Sequence, residues 1–231
     1  MFHTFIYQPL FNLLVFLYNV IPGHDVGIAI IALTFFTKLI FHPLTRKSFH
    51  YQKNMQALSP QLKKLKEQHK GKPDMLNQET MKLYKENGTS PLGGCLPVLI
   101  QLPLLIGLFQ VFRAGFSQSA LSELYSFVAN PGNINPLFFG FLDLSRSNTI
   151  VALFAAIAQF IQGYALPIIP LPEAQEGGDF SQQMGKQMIY MAPVLTFIVS
   201  FSLPAALPFY WFFNTVFTAL EVLYINKFVS R

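Results

Sequence analysis

Long apolar stretches constrain this chain more than any other feature, because a helix needs about 20 apolar residues to cross a bilayer. Five stretches approach that length, at residues 26–44, 92–112, 149–166, 188–203 and 207–228. The last two are separated by only a short turn, so we expect them to form an antiparallel hairpin. The pattern predicts an all-α polytopic membrane protein with a single domain over residues 1–231.

Composition excludes the main soluble alternatives. Hydrophobic residues make up 52% of the 231-residue chain and charged residues only 12%, against about 25% charged in a typical soluble domain. A water-soluble globule of this size cannot bury so much apolar surface. The same numbers exclude intrinsic disorder, and the single cysteine, Cys95, excludes a disulfide-stapled domain.

Motifs that carry enzyme chemistry are missing from the sequence. It contains no glycine-rich phosphate loop, no paired metal-ligand spacing and no nucleophile elbow. We therefore expect a protein that is not an enzyme and that holds no cofactor or metal.

The N-terminal segment can be interpreted in two ways. Residues 5–21 are apolar enough for a sixth span, but four polar side chains fall on one helical stripe: Thr4, Gln8, Asn12 and Asn19. An external helix over residues 4–21 that lies in the membrane interface, with this stripe toward water, fits the pattern better than a span.

The distribution of basic residues predicts the orientation of the chain in its membrane. Residues 45–90 hold ten of the 16 Lys and Arg, whereas residues 113–148 hold two. Because cytoplasmic loops carry the excess of basic residues, we expect segment 45–90, loop 167–187 and the C-terminus to be cytoplasmic and loop 113–148 to be external. One block of cations between spans indicates a surface for lipids or a ribosome, not a DNA-binding protein.

The basic segment 45–90 has the pattern of two helices. An apolar stripe on the first is formed by Met55, Leu58, Leu62 and Leu65, and one on the second by Leu76, Thr80 and Leu83. Gly71 and Pro73 break the chain between them. We expect an antiparallel hairpin with little core of its own, and therefore a mobile one.

Lys38 is the most informative residue, because it lies inside the first apolar stretch, about 15 Å from Gly27 along a helix. A cation at such depth costs roughly 3 kcal/mol or more, so it should face a polar cavity. The alternative is a lysine that reaches along the helix to the nearby membrane surface. Glu221 similarly has two interpretations, as an interfacial carboxylate or as a counter-ion for a cation in a cavity.

Amides and hydroxyls also interrupt the other stretches, among them Gln101, Gln159, Asn214, Thr215 and Thr218. Any one of them is more often a contact between helices, with an average contribution of about 0.6 kcal/mol. Glutamines in two different spans together with a buried lysine favour a shared polar cavity.

Four stretches, in this order, resemble the YidC-type membrane protein insertases and their mitochondrial and chloroplast relatives. They are residues 5–11 (FIYQPLF), residues 38–44 (KLIFHPL) with 55–60 (MQALSP), residues 87–97 (NGTSPLGGCLP) with 99–103 (LIQLP), and residues 203–211 (LPAALPFYW). The third is the most specific, and the resemblance covers nearly the whole chain.

The resemblance implies five core transmembrane helices around a hydrophilic groove, an N-terminal interfacial helix and a cytoplasmic two-helix hairpin. Lys38 takes a position that is usually Arg, which keeps the charge but loses the rigid fork. On this basis we predict that the groove is lined by Lys38, Gln101, Gln159, Asn214 and Thr215. We predict that Lys63, Lys64 and Lys66 of the hairpin help to capture substrate or ribosome.

The implied function is insertion and chaperoning of small or single-span membrane proteins, in a bacterial-type inner or cell membrane. The implied partners are nascent membrane proteins, membrane lipids and, in addition, the Sec translocon and the ribosome. Two rival classes remain open at this point: a small anion transporter or channel that uses Lys38 as its site, and a non-translocating assembly scaffold. No internal repeat of the kind that many transporters show is visible in the sequence.

Overall fold

The computed structural model is mainly helical, as the sequence predicts, and describes residues 1–90, 96–114, 118–165 and 180–228. A π-helical turn, His3–Tyr7, leads into the first α-helix. The elements are α1 Gln8–Val20, α2 Val26–Gln68, α3 Pro73–Glu86, α4 Leu96–Ala114, α5 Gln118–Leu121, β1 Leu137–Phe138, β2 Leu142–Asp143, α6 Thr149–Ala165, α7 Phe180–Phe201 and α8 Ala206–Phe228. The start of the predicted span 92–112, with Cys95, and most of the predicted loop 167–187 lie outside the described residues.

Helix α2 is the longest element and continues from the first apolar stretch into the basic segment without a break. Its 43 residues correspond to about 65 Å of helix. The Asp25 side chain caps its start by accepting a 3.0 Å hydrogen bond from the Ile28 amide. Gly71, with φ +79°, and Pro73, the first residue of α3, turn the chain after α2 ends. These are the two residues that the sequence analysis placed in the turn.

The long helix α2 and helix α3 pair through a small apolar cluster that is separate from the main core. Met55 and Leu58 on α2 and Tyr84 on α3 are buried, and Leu62 and Leu83 pack against them. The predicted stripes therefore meet, but the central residue on α3 is Tyr84, which the stripe did not include. So few buried side chains give the hairpin little cohesion of its own.

Several helices expose many apolar side chains, and soluble proteins rarely expose large continuous apolar surfaces. Val26–Met55 and Ala206–Ile225 are long and apolar enough to cross a membrane by length and composition, and Gln101–Ala114, Thr149–Gly163 and Tyr190–Phe201 are shorter apolar helices. On α7, Leu195 and Ile198 are 62% and 60% exposed. Such a surface is typical of helices that contact lipid.

Helix α8 is the centre of the arrangement. It packs against α2, α4 and α6, while α7 packs against α6 and α1 against α2 and α4. The ring of Phe138 lies at the start of both α2 and α8. A side chain at Gly27 would collide with the Phe138 ring, and the Phe209 ring lies 5.0 Å from the Phe138 ring, centroid to centroid. Farther toward the C-terminal end of each helix, His42 contacts Glu221. Because the starts of α2 and α8 are neighbours and their later residues are also neighbours, the two helices run parallel.

Residues 118–148, which we call the cap, cover the helix ends where α2 and α8 begin. Asp25 Oδ2 accepts a 2.6 Å hydrogen bond from the Phe139 amide of the cap. The Ala205 and Ala206 amides, at the start of α8, donate to the Arg146 and Leu144 carbonyls at 2.8 and 2.9 Å. The cap therefore ties the starts of α2 and α8 to one another.

The polar stripe of the N-terminal helix faces the cap rather than water, which corrects the sequence-based expectation. Asn12 is only 2% exposed; its side chain donates to the Glu123 carbonyl at 3.2 Å and accepts from the Tyr125 amide at 2.6 Å. Gln8 and Asn19 donate to the carbonyls of Glu123 and Ala129. A loop has few internal partners for its backbone groups, so the stripe supplies them.

Candidate functional site

Lys38 is tied to helix α8. Its Nζ donates a 2.6 Å hydrogen bond to the Thr218 hydroxyl, which in turn donates to the Asn214 carbonyl at 2.7 Å. Lys38 lies twelve residues into α2, about 18 Å along the helix axis, and is partly buried. This lysine points across to another helix instead of extending along its own, which disfavours the snorkelling interpretation.

A second contact joins the same two helices one turn farther along. His42 Nδ1 lies 2.7 Å from Glu221 Oε1, and the Glu221 side chain is only 9% exposed. Glu221 also acts electrostatically on the Lys38 ammonium. Glu221 is thus nearly buried and contacts His42 directly, which fits a carboxylate inside a cavity better than an interfacial one.

Three α8 side chains share one face of the helix. At 100° per residue, Asn214, Thr218 and Glu221 fall within about 60° of one another. They form, with Lys38 and His42 of α2, a polar cluster that we call the α2–α8 site. Sequence analysis identified Lys38 and Asn214 and noted Thr218 and Glu221 as polar, but it gave His42 no role. The i, i+4 spacing of Lys38 and His42 on one helix was the available signal.

Thr215, predicted to line the same groove as Lys38, faces α6 instead of α2. Its hydroxyl donates to the Trp211 carbonyl at 2.8 Å, and its side chain is 3% exposed. It lines an apolar cleft between α6 and α8 together with Phe154, Ile157 and Val216. The structure therefore does not bring Thr215 to the α2–α8 site.

The two predicted glutamines make separate contacts between helices. Gln101 Nε2 on α4 donates to the Tyr210 hydroxyl on α8 at 3.2 Å, and Tyr210 is completely buried. Gln159 on α6 accepts a hydrogen bond from the Thr196 hydroxyl on α7. Neither is hydrogen-bonded to Lys38, so each links a neighbouring helix to the bundle at its own position.

The basic residues predicted to capture substrate lie far from Lys38 on the same helix. Lys63 and Lys64 are exposed and Lys66 is partly buried. Lys63 is separated from Lys38 by 25 residues of α2, about 38 Å along the axis. A ligand of the three lysines would therefore not touch Lys38 at the same time unless it were extended.

A metal does not account for the polar cluster. Within the described residues, His, Cys, Asp and Glu side chains nowhere gather in threes as a metal ion would need. The groups of the α2–α8 site are instead suited to bind polar or charged groups through hydrogen bonds and electrostatic attraction.

Comparison with known proteins gives a consistent family match. The sequence profile of the family described as "60Kd inner membrane protein" matches residues 16–231. A membrane protein insertase YidC of Fusobacterium nucleatum is 31% identical over 226 residues, which is 97% of this chain and 98% of that protein. A membrane protein insertase YidC of Prosthecochloris aestuarii is 36% identical over 233 residues, but this chain spans only 37% of its length.

A solved structure shows the same fold. A crystal structure described as an active YidC insertase with its first transmembrane domain resolved is 27% identical in sequence, with a TM-score of 0.56. The similarity covers 94% of this chain and 46% of that one. The likeness therefore includes nearly all of this chain and about half of the larger protein.

Proposed function

The chain belongs to the 60Kd inner membrane protein family of YidC-type insertases, and we propose that it is a membrane protein insertase and chaperone. Its substrates would be small or single-span membrane proteins, and it would work alone or with the Sec translocon. The observation that carries the mechanism is the hydrogen bond from Lys38 to Thr218, because it holds a cation deep in the apolar part of the bundle.

In this proposal the five core spans are α2, α4, α6, α7 and α8, and they surround a polar groove open to lipid and cytoplasm. Lys38, Gln101, Gln159 and Asn214 are assigned to the groove. Thr215, predicted there from sequence, is left out because its side chain lines the apolar cleft between α6 and α8. The parallel α2 and α8 would both run inward, with the hairpin and the C-terminus in the cytoplasm and the cap outside.

The energetics follow from the properties of the two parts of a substrate. Moving a hydrated polar flank into hydrocarbon is costly, and a groove with hydrogen-bonding groups lowers that cost. Lys38 would attract acidic or polar flanks over a short range. The substrate's apolar helix would then pass sideways into lipid, and its burial supplies about 25 cal/mol per Å². No nucleotide is needed for these steps.

The hairpin of α2 and α3 would capture the substrate before the groove inserts it. Lys63 and Lys64 are exposed near its tip, where cations can attract an acidic nascent segment or ribosomal RNA by long-range electrostatics. The 38 Å or so of α2 between Lys63 and Lys38 would then separate capture from insertion.

The rival classes predict different activities in the same preparation. Purified protein is reconstituted into liposomes, and a small single-span protein with a short external flank is synthesised in their presence. We expect protease protection of the substrate's inserted segment to rise several-fold over protein-free liposomes. A transporter or channel would instead release a trapped anion without raising insertion, and a scaffold would do neither. Either of those results would overturn the proposal.

A further inference from the structure

We propose that Glu221 is a binding subsite for hydrogen-bond donors and cations in the substrate flank, so that the groove accepts neutral and basic flanks as well as acidic ones. This inference rests on the insertase function proposed above. It adds to that function a second, negative subsite opposite in charge to Lys38.

The apolar parts of the sequence contain charges only at this place. Within residues 26–44, 92–112, 149–166, 188–203 and 207–226, the only Asp, Glu, Lys or Arg are Lys38 and Glu221. Both belong to the α2–α8 site. Because an intramembrane charge is costly wherever it occurs, two opposite ones in adjacent turns of one helix pair indicate a built arrangement.

The geometry leaves Glu221 half satisfied. Oε1 is held 2.7 Å from His42 Nδ1, whereas Oε2 is buried and has no hydrogen-bond partner among the described residues. The side chain as a whole is 9% exposed. A buried carboxylate oxygen without a donor is costly, because charged groups lose the most when they are left unpaired. A donor on a passing substrate, such as an ammonium, a guanidinium or a backbone amide, would satisfy it.

Glu221 Oε2 receives no hydrogen bond from the described groups of the site, because the neighbouring donors are bonded to other acceptors. The Lys38 ammonium donates to Thr218, and the Thr218 hydroxyl donates onward to Asn214. Glu221 nevertheless lies close enough to act on Lys38 electrostatically. The titratable groups that face one another at the site are thus Lys38, His42 and Glu221. Because Glu221 opposes the positive charge of Lys38, the groove selects acidic flanks less strongly than Lys38 alone would.

The test uses two substrates that differ only in the flank, one with two Asp and one with two Lys, inserted into liposomes that contain the full-length protein. Glu221→Gln keeps the size of the side chain and removes its charge. We expect the ratio of Asp-flank to Lys-flank insertion to rise about fivefold, the factor that one unit charge at contact distance gives in a wet site. Glu86→Gln, the same change at an exposed position on α3, should leave the ratio at the wild-type value.

Glu221→Asp guards against a variant that fails only because it is misfolded. It keeps the negative charge, and we expect it to keep the wild-type ratio even where total insertion falls. A Glu221→Gln protein that inserts both flanks to the same extent as wild type, or loses both equally, would overturn the subsite. Failure of the wild-type protein to insert either flank would instead contradict the insertase function itself.

Discussion

The Lys38 ammonium and the Thr218 hydroxyl join helices α2 and α8 by a hydrogen bond of 2.6 Å. The residues are 180 positions apart in sequence; Lys38 is the one charged residue of stretch 26–44, and Thr218 lies one turn before Glu221 on α8. The contact fixes where the lysine's positive charge sits, and the mechanism proposed for this protein depends on that position.

Replacing Thr218 should weaken insertion without unfolding the protein. Thr218→Val keeps the shape but removes the acceptor for Lys38, and loss of a hydrogen bond to a charged group costs about 1.5–3 kcal/mol. We expect insertion of an acidic-flank substrate to fall about tenfold. Thr215→Val, a matched change on the apolar-cleft face of α8, should have little effect. Equal losses in both variants would contradict the assignment of the two faces.

The buried Asn12 should matter more for stability than the exposed end of its stripe. Asn12→Leu leaves the Tyr125 amide and the Glu123 carbonyl of the cap without their partner, at a cost of about 1–3 kcal/mol. Thr4→Val, on the same stripe but exposed, should cost almost nothing. Thermal unfolding in detergent measures both, and similar midpoints for the two variants would argue against the contact between α1 and the cap.

Gly27 should tolerate no side chain, because the Phe138 ring occupies the space. A Cβ there would overlap with Cδ2 of Phe138, and overpacking of this kind typically costs about 1–3 kcal/mol. We expect Gly27→Ala to lower the unfolding temperature and to loosen the cap. Gly23→Asn is the matched control, since nothing lies near Gly23 and asparagine tolerates its φ of +83°. An unchanged midpoint for Gly27→Ala would show that Phe138 can move aside.

Tyr84 should hold the hairpin closed. It is 3% exposed between α2 and α3, and truncation of a buried aromatic side chain costs about 3–5 kcal/mol. We expect Tyr84→Ala to speed hydrogen exchange throughout α3 while exchange in α6 and α8 stays the same. Met81→Ala, at a position that is 47% exposed on the same helix, is the control. Unchanged exchange in α3 would mean that the small cluster is not what pairs the helices.

Sequence predicted the parts of this protein that depend on local patterns. The Gly71 and Pro73 turn follows from backbone chemistry within a few residues, and the depth of Lys38 follows from simple counting along a helix. The hydrogen-bond partners of Lys38 and of the α8 side chains could not be predicted in the same way. Helix α8 is apolar on nearly all sides, so no periodicity separates the face of Thr218 from that of Thr215.

Long-range contacts were the other source of error. Asn12 has the pattern of a residue that faces water, because the carbonyl and amide that satisfy it come from positions 111 and 113 residues away. Tyr84 comes directly after Leu83 and lies outside the expected stripe, so only the packing of α3 on α2 buries it. In both cases tertiary partners outweigh the local pattern.

The charge of Lys38 is the central claim, and insertion into liposomes by three proteins tests it most directly. Wild type, Lys38→Arg and Lys38→Ala are compared on the Asp-flank substrate, with Lys47→Ala, outside the apolar stretch of the same helix, as the control. We expect Lys38→Arg and Lys47→Ala to insert nearly as well as wild type and Lys38→Ala to fall at least tenfold. Equal insertion by Lys38→Ala and wild type, with both proteins folded and equally oriented, would contradict the charged-groove mechanism.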